Sequence, residues 1–262
     1  MKIFSLITGA AGLLGKYHAI GLLEINHNLI LTDLDQNKLK KLKAELNKKY
    51  PCSKIICEKM DVTSEKSIRK VLNKINVSGW IVNNLLNNAA IDAKIKGSKN
   101  GVFENFNLNQ WNKEVNVGLT GAMLCSKIFG TQMVKKKIKG SIINIASDLS
   151  VIAPNQNLYI IKNQPKFVKP VTYSVIKHGI LGLTKYLASY WAKNNIRVNS
   201  LSPGAVLNDQ SLALQKNLKK QIPMGRLANK NEYIGAIQFL SSNGSNYMTG
   251  QNIVIDGGRS IW

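Results

Sequence analysis

The 262-residue sequence predicts an α/β protein built on a doubly wound parallel sheet of about seven strands, with helices on both faces. Three observations carry this expectation. Short apolar runs alternate with longer segments of helical period along the chain. The first run passes straight into a glycine cluster. No repeat, low-complexity tract or linker separates one part from another, so residues 1–262 read as a single domain.

The elements follow in order. IFSLIT (3–8) is an apolar strand, and 12–25 after it has helical period. NLILTD (28–33) precedes a helix at 36–49, and KIICEKM (54–60) precedes another at 64–76. WIVNNLLNN (80–88) is the least regular strand, because four Asn interrupt it. A long helical segment, 108–137, leads to GSIINIAS (140–147). Residues 148–171 hold three prolines and little periodicity and read as a loop. The helix at 173–194, the strand IRVNSLS (196–202), a helix at 231–241 and the strand QNIVID (251–256) complete the chain. Strand–helix–strand repetition makes neighbouring strands parallel, and strands covered on both faces read as continuous apolar runs.

Composition narrows the function classes. Lys and Arg number 36 against 14 acids, a formal net charge of +22. Nucleic-acid binding is one reading of such a charge. The lysines are scattered, aromatics are few and no nucleic-acid motif accompanies them, so no specific nucleic-acid partner is expected. No stretch reaches the length needed to cross a bilayer. Lys2 and the apolar run after it imitate a signal peptide, but removing them would remove the first strand and its glycine turn. Cys52, Cys57 and Cys125 show neither metal-ligand spacing nor an even-numbered framework. The expectation is a cytoplasmic protein with reduced thiols, no metal site and no membrane partner.

The glycine cluster is the first chemical signal. Gly9, Gly12 and Gly15 fall at G-x-x-G-x-x-G after the first strand, with Leu14 among them. The first glycine allows a tight turn. The second lets backbone N–H groups approach a pyrophosphate, and the third lets the helix pack on the strand. The following helix offers its positive end to phosphate. Asp33 ends the second strand, eighteen residues past Gly15, which completes a dinucleotide fingerprint on a Rossmann fold. Its carboxylate suits the two adenosine ribose hydroxyls and repels a 2′-phosphate, so NAD is expected over NADP. Lys38 and Lys40 nearby soften that preference, and Asp33 has a plainer reading as a helix cap or turn residue.

The second signal is Tyr173 and Lys177 in TYSVIKHGILGLTKYL. Four residues apart on a helix, ring and ammonium share one face. An unperturbed phenol titrates near about 10, and a neighbouring cation favours phenolate. That pairing makes Tyr173 a candidate acid/base near neutral pH.

Eight stretches, in order, resemble the short-chain dehydrogenase/reductase family over nearly the whole chain. They are TGAAGLLG (8–15), MDVTS (60–64), NNAA (87–90), VNVGLTGAMLCSK around Asn116, INIAS ending at Ser147, YSVIK (173–177), IRVNSLSPGAV (196–206) and TGQNIVIDGG (249–258). The resemblance implies an oxidoreductase that moves hydride between a nicotinamide and a secondary alcohol or ketone. It implies catalytic roles for Asn116, Ser147, Tyr173 and Lys177. Asp61 and Val62 would meet the adenine, Asn88 and Ala89 would line the cofactor cleft, and Pro203, Gly204 and Val206 would pass the carboxamide. Lys177 would also hold the nicotinamide ribose, and Asn116 a water linking Lys177 to solvent.

Two departures from the family pattern stand out. Its ordinary branch spaces the glycines G-x-x-x-G-x-G, whereas this spacing is that of its sugar-epimerising relatives. Ser147 and Tyr173 lie 26 apart, about twice the usual separation, because of the loop 148–171. Tyr159 is nearer the usual separation, but Lys162 follows it at three residues rather than four, so Tyr173 is preferred. The loop 148–171 and the segment 205–230 are expected to shape the substrate pocket, and Lys162, Lys166 and Lys169 in the loop either meet an anionic group or are simply solvated. The loop, YSVIK and the ending DGGRSIW look like members in bacterial surface-sugar or flagellin-glycan pathways. A sugar or sugar phosphate is therefore the expected substrate, with a 3-oxoacyl or small-ketone reductase as the enzymatic alternative. A non-catalytic NAD-binding scaffold is the alternative outside enzymes. Self-association through 108–137 and 173–194, as a tetramer or dimer, is the expected assembly.

Overall fold

The computed structural model describes residues 4–91, 102–159 and 168–262. Seven parallel strands form one sheet: β1 (Phe4–Thr8), β2 (Asn28–Asp33), β3 (Ile55–Lys59), β4 (Val82–Asn87), β5 (Gly140–Ile145), β6 (Ile196–Pro203) and β7 (Asn252–Ile255). Their spatial order is β3-β2-β1-β4-β5-β6-β7, so the chain reverses direction across the sheet between β1 and β4. In open sheets of this kind a crevice opens at that point, beyond the strands' carboxyl ends.

Helices α1 (Gly15–Glu24), α2 (Gln36–Lys49), α3 (Glu65–Val77), α4 (108–135), α5 (Val171–Trp191), α6 (Leu212–Lys219) and α7 (Ile234–Ser241) cover the sheet and its edge. The strands alternate two apolar sets. Leu6, Ile30, Leu85, Ile142 and Val198 face α3, α4 and α5, where Ile68, Phe129 and Trp191 meet them. Ile7, Leu29, Leu31, Leu86, Ile143 and Leu201 face α1, α2 and α7, where Ala19, Leu39 and Ile237 meet them. Both pleat faces are thus dry, which is why no polar alternation shows in the sequence.

Two asparagines of β4, Asn84 and Asn87, donate their side-chain amides to neighbouring strands and helices. Asn87 Nδ2 donates to Ser126 Oγ at 2.9 Å and to Asn144 Oδ1 at 2.8 Å. Asn144 Nδ2 in turn donates to Thr184 Oγ1 at 2.9 Å. Asn84 Nδ2 reaches Ser5 Oγ and Ser241 Oγ, each at 3.0 Å. These bonds tie three central strands to α4, α5 and α7 and give the buried Nδ2 groups acceptors, while Oδ1 of Asn84 and of Asn87 stays buried without a partner.

Helix α4 is one rod with two π turns, Asn116–Thr120 and Ser126–Gly130. Helix α6 has no counterpart among the expected elements. At eight residues it is too short to show a period, and its Ser211 cap, which accepts from Leu214 N at 3.3 Å, is an ordinary Ser in the sequence.

His18, on α1, is fully buried with no hydrogen-bond partner on either ring nitrogen. Burial alone pushes its pKa down from 6.5 to about 4. An unfolded chain takes up a proton on this ring below about pH 6.5, whereas the folded chain does so only below about 4. The folded state is therefore penalised progressively as pH falls through that window, by up to about 3 kcal/mol. His27, lowered to about 4 by burial, adds in the same direction. We expect His18→Leu to be more stable than the parent at pH 5, with the gain shrinking by pH 8. Thermal melts of both proteins at the two pH values check this.

Candidate active site

A cleft of about 710 Å³ opens at the carboxyl ends of β1, β2, β4, β5 and β6. Gly9 turns the chain with φ +60, and a Cβ there would lie 2.7 Å from the Ala89 Cα. The turn and the segment after β4 are stitched together at this point. Asn88 Nδ2 donates to the carbonyls of Thr8 and Gly9 at 3.0 and 2.9 Å. The N–H groups of Asn88 and Ala89 both donate to Thr8 Oγ1 at 3.0 Å. Gly12 faces the same cleft. Gly15 lies below it, where a Cβ would sit 2.4 Å from the Ala10 oxygen, so it seats α1 on β1.

Leu14 is the N-cap of α1 and supplies no side-chain hydrogen bond to the helix start. An uncapped N-terminus beside side-chain-free glycines fits a pyrophosphate, which would supply the missing acceptors. Asp33 stands at the end of β2 on the cleft. Its Oδ2 accepts from Ala11 N at 3.0 Å and its Oδ1 from Asp35 N at 3.2 Å. The cap of α2 is Asp35, which frees Asp33 from that role. Lys38 also lines the cleft, 3.5 Å from Asp35 Oδ2. Asp61 and Val62 line it after β3, and Asp61 Oδ1 is held by Thr63 N and Oγ1 at 2.9 and 2.7 Å. Pro203, Gly204 and Val206 form the wall after β6.

The cleft's other end gathers the candidate catalytic side chains. Ser147, Tyr173 and Lys177 all line it. Lys177 is buried and its Nζ donates to the Ile145 carbonyl at 2.9 Å, which fixes the ammonium at the end of β5. The same Nζ lies 5.7 Å from the centroid of the Tyr173 ring, and Lys169 Nζ lies 3.8 Å from it. Two ammonium groups therefore stand beside the Tyr173 ring. Thr172, next to it, donates to the buried carboxylate of Glu114 on α4, which anchors the start of α5. Ser147 Oγ donates to Asp148 Oδ1 at 2.8 Å, and Asp148 Oδ2 accepts from Arg259 Nη1 at 2.8 Å.

Asn116 stands apart. Glu114 and Gly118 face α5, and Lys113 and Val117 face the cleft. That leaves the Asn116 side chain exposed, and it does not line the cleft. Its carbonyl accepts the Gly121 N–H and so opens the first π turn.

The two segments expected to shape the pocket do meet at its edge. Leu158 packs on Leu218 and Leu227, and Tyr159, Gln210 and Leu214 line the cleft. Lys162 and Lys166 lie outside the described residues. Asp148 and Arg259, 111 residues apart in the chain, escaped the sequence reading because nothing local marks them as partners.

Comparison with known proteins gives the family. Residues 9–260 match the family model described as enoyl-(acyl carrier protein) reductase. The NAD-dependent glycerol dehydrogenase of Listeria innocua is 30% identical, over 98% of this chain and 93% of its own. The chain is a short-chain dehydrogenase/reductase. Such an enzyme is an oxidoreductase, and the Rossmann sheet and cleft described above are those of the family. A short-chain dehydrogenase of Leptospira borgpetersenii, solved with bound NAD+, superposes with a TM-score of 0.86 at 30% identity, covering 99% of this chain and 93% of that one. The post-translational flagellin modification protein A of Campylobacter coli is 29% identical, over 97% of each chain.

Proposed function

We propose that this short-chain dehydrogenase/reductase interconverts a secondary alcohol and a ketone on a sugar-like or polyol substrate, with NAD as the preferred dinucleotide. One observation carries the reading: Ser147, Tyr173 and Lys177 line one end of the cleft whose other end is the glycine turn and Asp33. When bound, the nicotinamide takes up or returns the hydride. Tyr173 Oη is the group that takes the proton from the substrate hydroxyl during oxidation and returns it during reduction. Lys177 and Lys169, both beside the ring, favour the phenolate that this exchange requires. Ser147 donates to the substrate oxygen as charge develops on it. Asn116, exposed and off the cleft, takes no part in these steps.

The glycerol-oxidising and flagellin-modifying relatives favour a polyhydroxylated ligand over a plain ketone. The acyl-carrier description of the matching family model supports the alternative, a 3-oxoacyl reductase. A panel of polyols, sugar phosphates, nucleotide sugars and 3-oxoacyl thioesters, assayed with NAD and NADP by nicotinamide absorbance, decides between them. Turnover of polyols or sugars over thioesters supports the proposal, and the reverse order replaces it.

Asp33 supplies the cofactor preference. We expect Asp33→Ser to lower kcat/KM with NAD by at least about tenfold while leaving NADP unchanged or improved, since the carboxylate's ribose bonds and its repulsion of a 2′-phosphate go together. Initial rates with both dinucleotides check it.

Assembly through α4 and α5 agrees with exposed Tyr186 and Tyr190 on α5, whose rings stack at 5.8 Å, and with exposed Met123 on α4. Light scattering would give a dimer or tetramer. Among the described residues no helix is long and apolar enough to cross a membrane. Burial pushes the Cys125 thiol up to about 12, which suits an inert core residue in a reducing cytoplasm.

A further inference from the structure

We infer that Arg259 and Asp148 form a positioning pair that sets the hydroxyl of Ser147. The inference rests on the functional reading above, in which Ser147 donates its proton to the substrate oxygen. As the site stands, that proton is given to Asp148 Oδ1 at 2.8 Å. The same carboxylate accepts Leu149 N on Oδ1 at 2.8 Å and Arg259 Nη1 on Oδ2 at 2.8 Å. Both partners are nearly sealed from water: the side chains of Arg259 and Asp148 are 6% and 4% exposed. Both nevertheless line the cleft.

A bare carboxylate so placed would bind the Ser147 hydroxyl strongly, because a charge-assisted hydrogen bond in a dry site is short and strong. It would also repel negative charge on a substrate oxygen or on the Tyr173 phenolate. The guanidinium answers both difficulties. It neutralises Asp148 and draws its electron density toward Oδ2, which weakens the hold of Oδ1 on Ser147. The hydroxyl is kept oriented by a weakened acceptor and can turn to a substrate oxygen at small cost. Arg259 reaches this place because Asp256 secures its turn, accepting from Gly258 N at 2.9 Å and Ser260 N at 2.7 Å. The carboxyl end of the chain is thereby wired to the end of β5. Neither residue need touch substrate.

The test is a mutant cycle on the full chain, with the fastest substrate of the panel and NAD. Arg259→Met should lower kcat about 30-fold or more while KM and the NAD dissociation constant stay within about threefold. Adding Asp148→Asn should return most of the lost rate, since the carboxylate that held Ser147 is then gone. Thermal melts and NAD titration accompany each variant. A pair that merely staples the C-terminus would lower melting temperature and NAD affinity together in Arg259→Met and give no rate recovery in the double variant. That pattern overturns the inference, as does a folded, NAD-binding Arg259→Met with the parent's kcat. Tyr173→Phe run alongside separates the two levels. An inactive Tyr173→Phe beside a fully active Arg259→Met removes this inference alone. An active Tyr173→Phe, or a parent protein inert on the whole panel, removes the functional reading and this inference with it.

Discussion

Tyr173→Phe keeps NAD binding within about threefold of the parent and loses turnover by about a thousandfold. The substitution removes one oxygen and leaves the ring beside the Lys177 and Lys169 ammonium groups, at 5.7 and 3.8 Å from its centroid. Packing and cleft shape are untouched, so the loss isolates proton transfer. Lys177→Met behaves differently. It deletes the Nζ that bonds the Ile145 carbonyl at 2.9 Å and leaves that acceptor without this donor, so binding and rate both fall. Steady-state rates at 340 nm, paired with NAD titration by protein fluorescence, distinguish the two patterns. A Tyr173→Phe protein that turns over at the parent's rate would end the assignment of Tyr173 as the proton donor and acceptor.

Gly15→Ala is the substitution with the largest expected effect on stability. The added methyl would stand 2.4 Å from the Ala10 oxygen and 2.7 Å from its carbonyl carbon. Both are backbone atoms of the turn that precedes α1, so no side chain can rotate away. Either α1 lifts from β1, exposing part of the layer around Ala19 and Leu22, or the turn that carries Gly9 and Gly12 opens. Overpacking of this kind costs about 3 kcal/mol, which for a chain of this size lowers the melting temperature by about 6–12 °C. Because the turn is also the candidate phosphate cradle, NAD affinity should fall in the same variant. A melting curve and an NAD titration on one sample measure both.

Much of this molecule is legible from residues alone, and the exceptions have physical causes. The strands were readable because both faces of the sheet are covered, so Leu6 and Ile7, or Ile142 and Ile143, point to opposite dry layers and appear as unbroken apolar runs. The cofactor end was readable because its requirements are local. A turn without Cβ atoms, a helix start and an acid at the next strand's end are short-range features, and Gly9, Gly12 and Asp33 meet on one cleft. Even the irregular strand had a reason, since Asn84 and Asn87 carry hydrogen bonds across the core.

What was not legible depends on distant parts of the chain. Asp148 lies beside Ser147 in sequence, but its partner Arg259 arrives from 111 residues away. Glu114 looks like a solvated helix acid until Thr172 closes over it. Asn116 matches a motif, yet its side chain is exposed and off the cleft, and the π turn that begins there shifts the phase of the rest of α4. A single inserted residue in a helix cannot be read from hydrophobic period, which averages over several turns. The substrate end is the least legible because it is made of loops, where composition does not fix conformation.

The most direct test is a crystal structure of the protein soaked with NAD+. The expected electron density has the adenosine ribose on the Asp33 carboxylate, the pyrophosphate over Gly12 at the start of α1, and the nicotinamide ring between Tyr173 and the Pro203–Gly204 wall. Density for the dinucleotide outside this cleft, or a nicotinamide ring out of reach of the Tyr173 hydroxyl, would contradict the central claim.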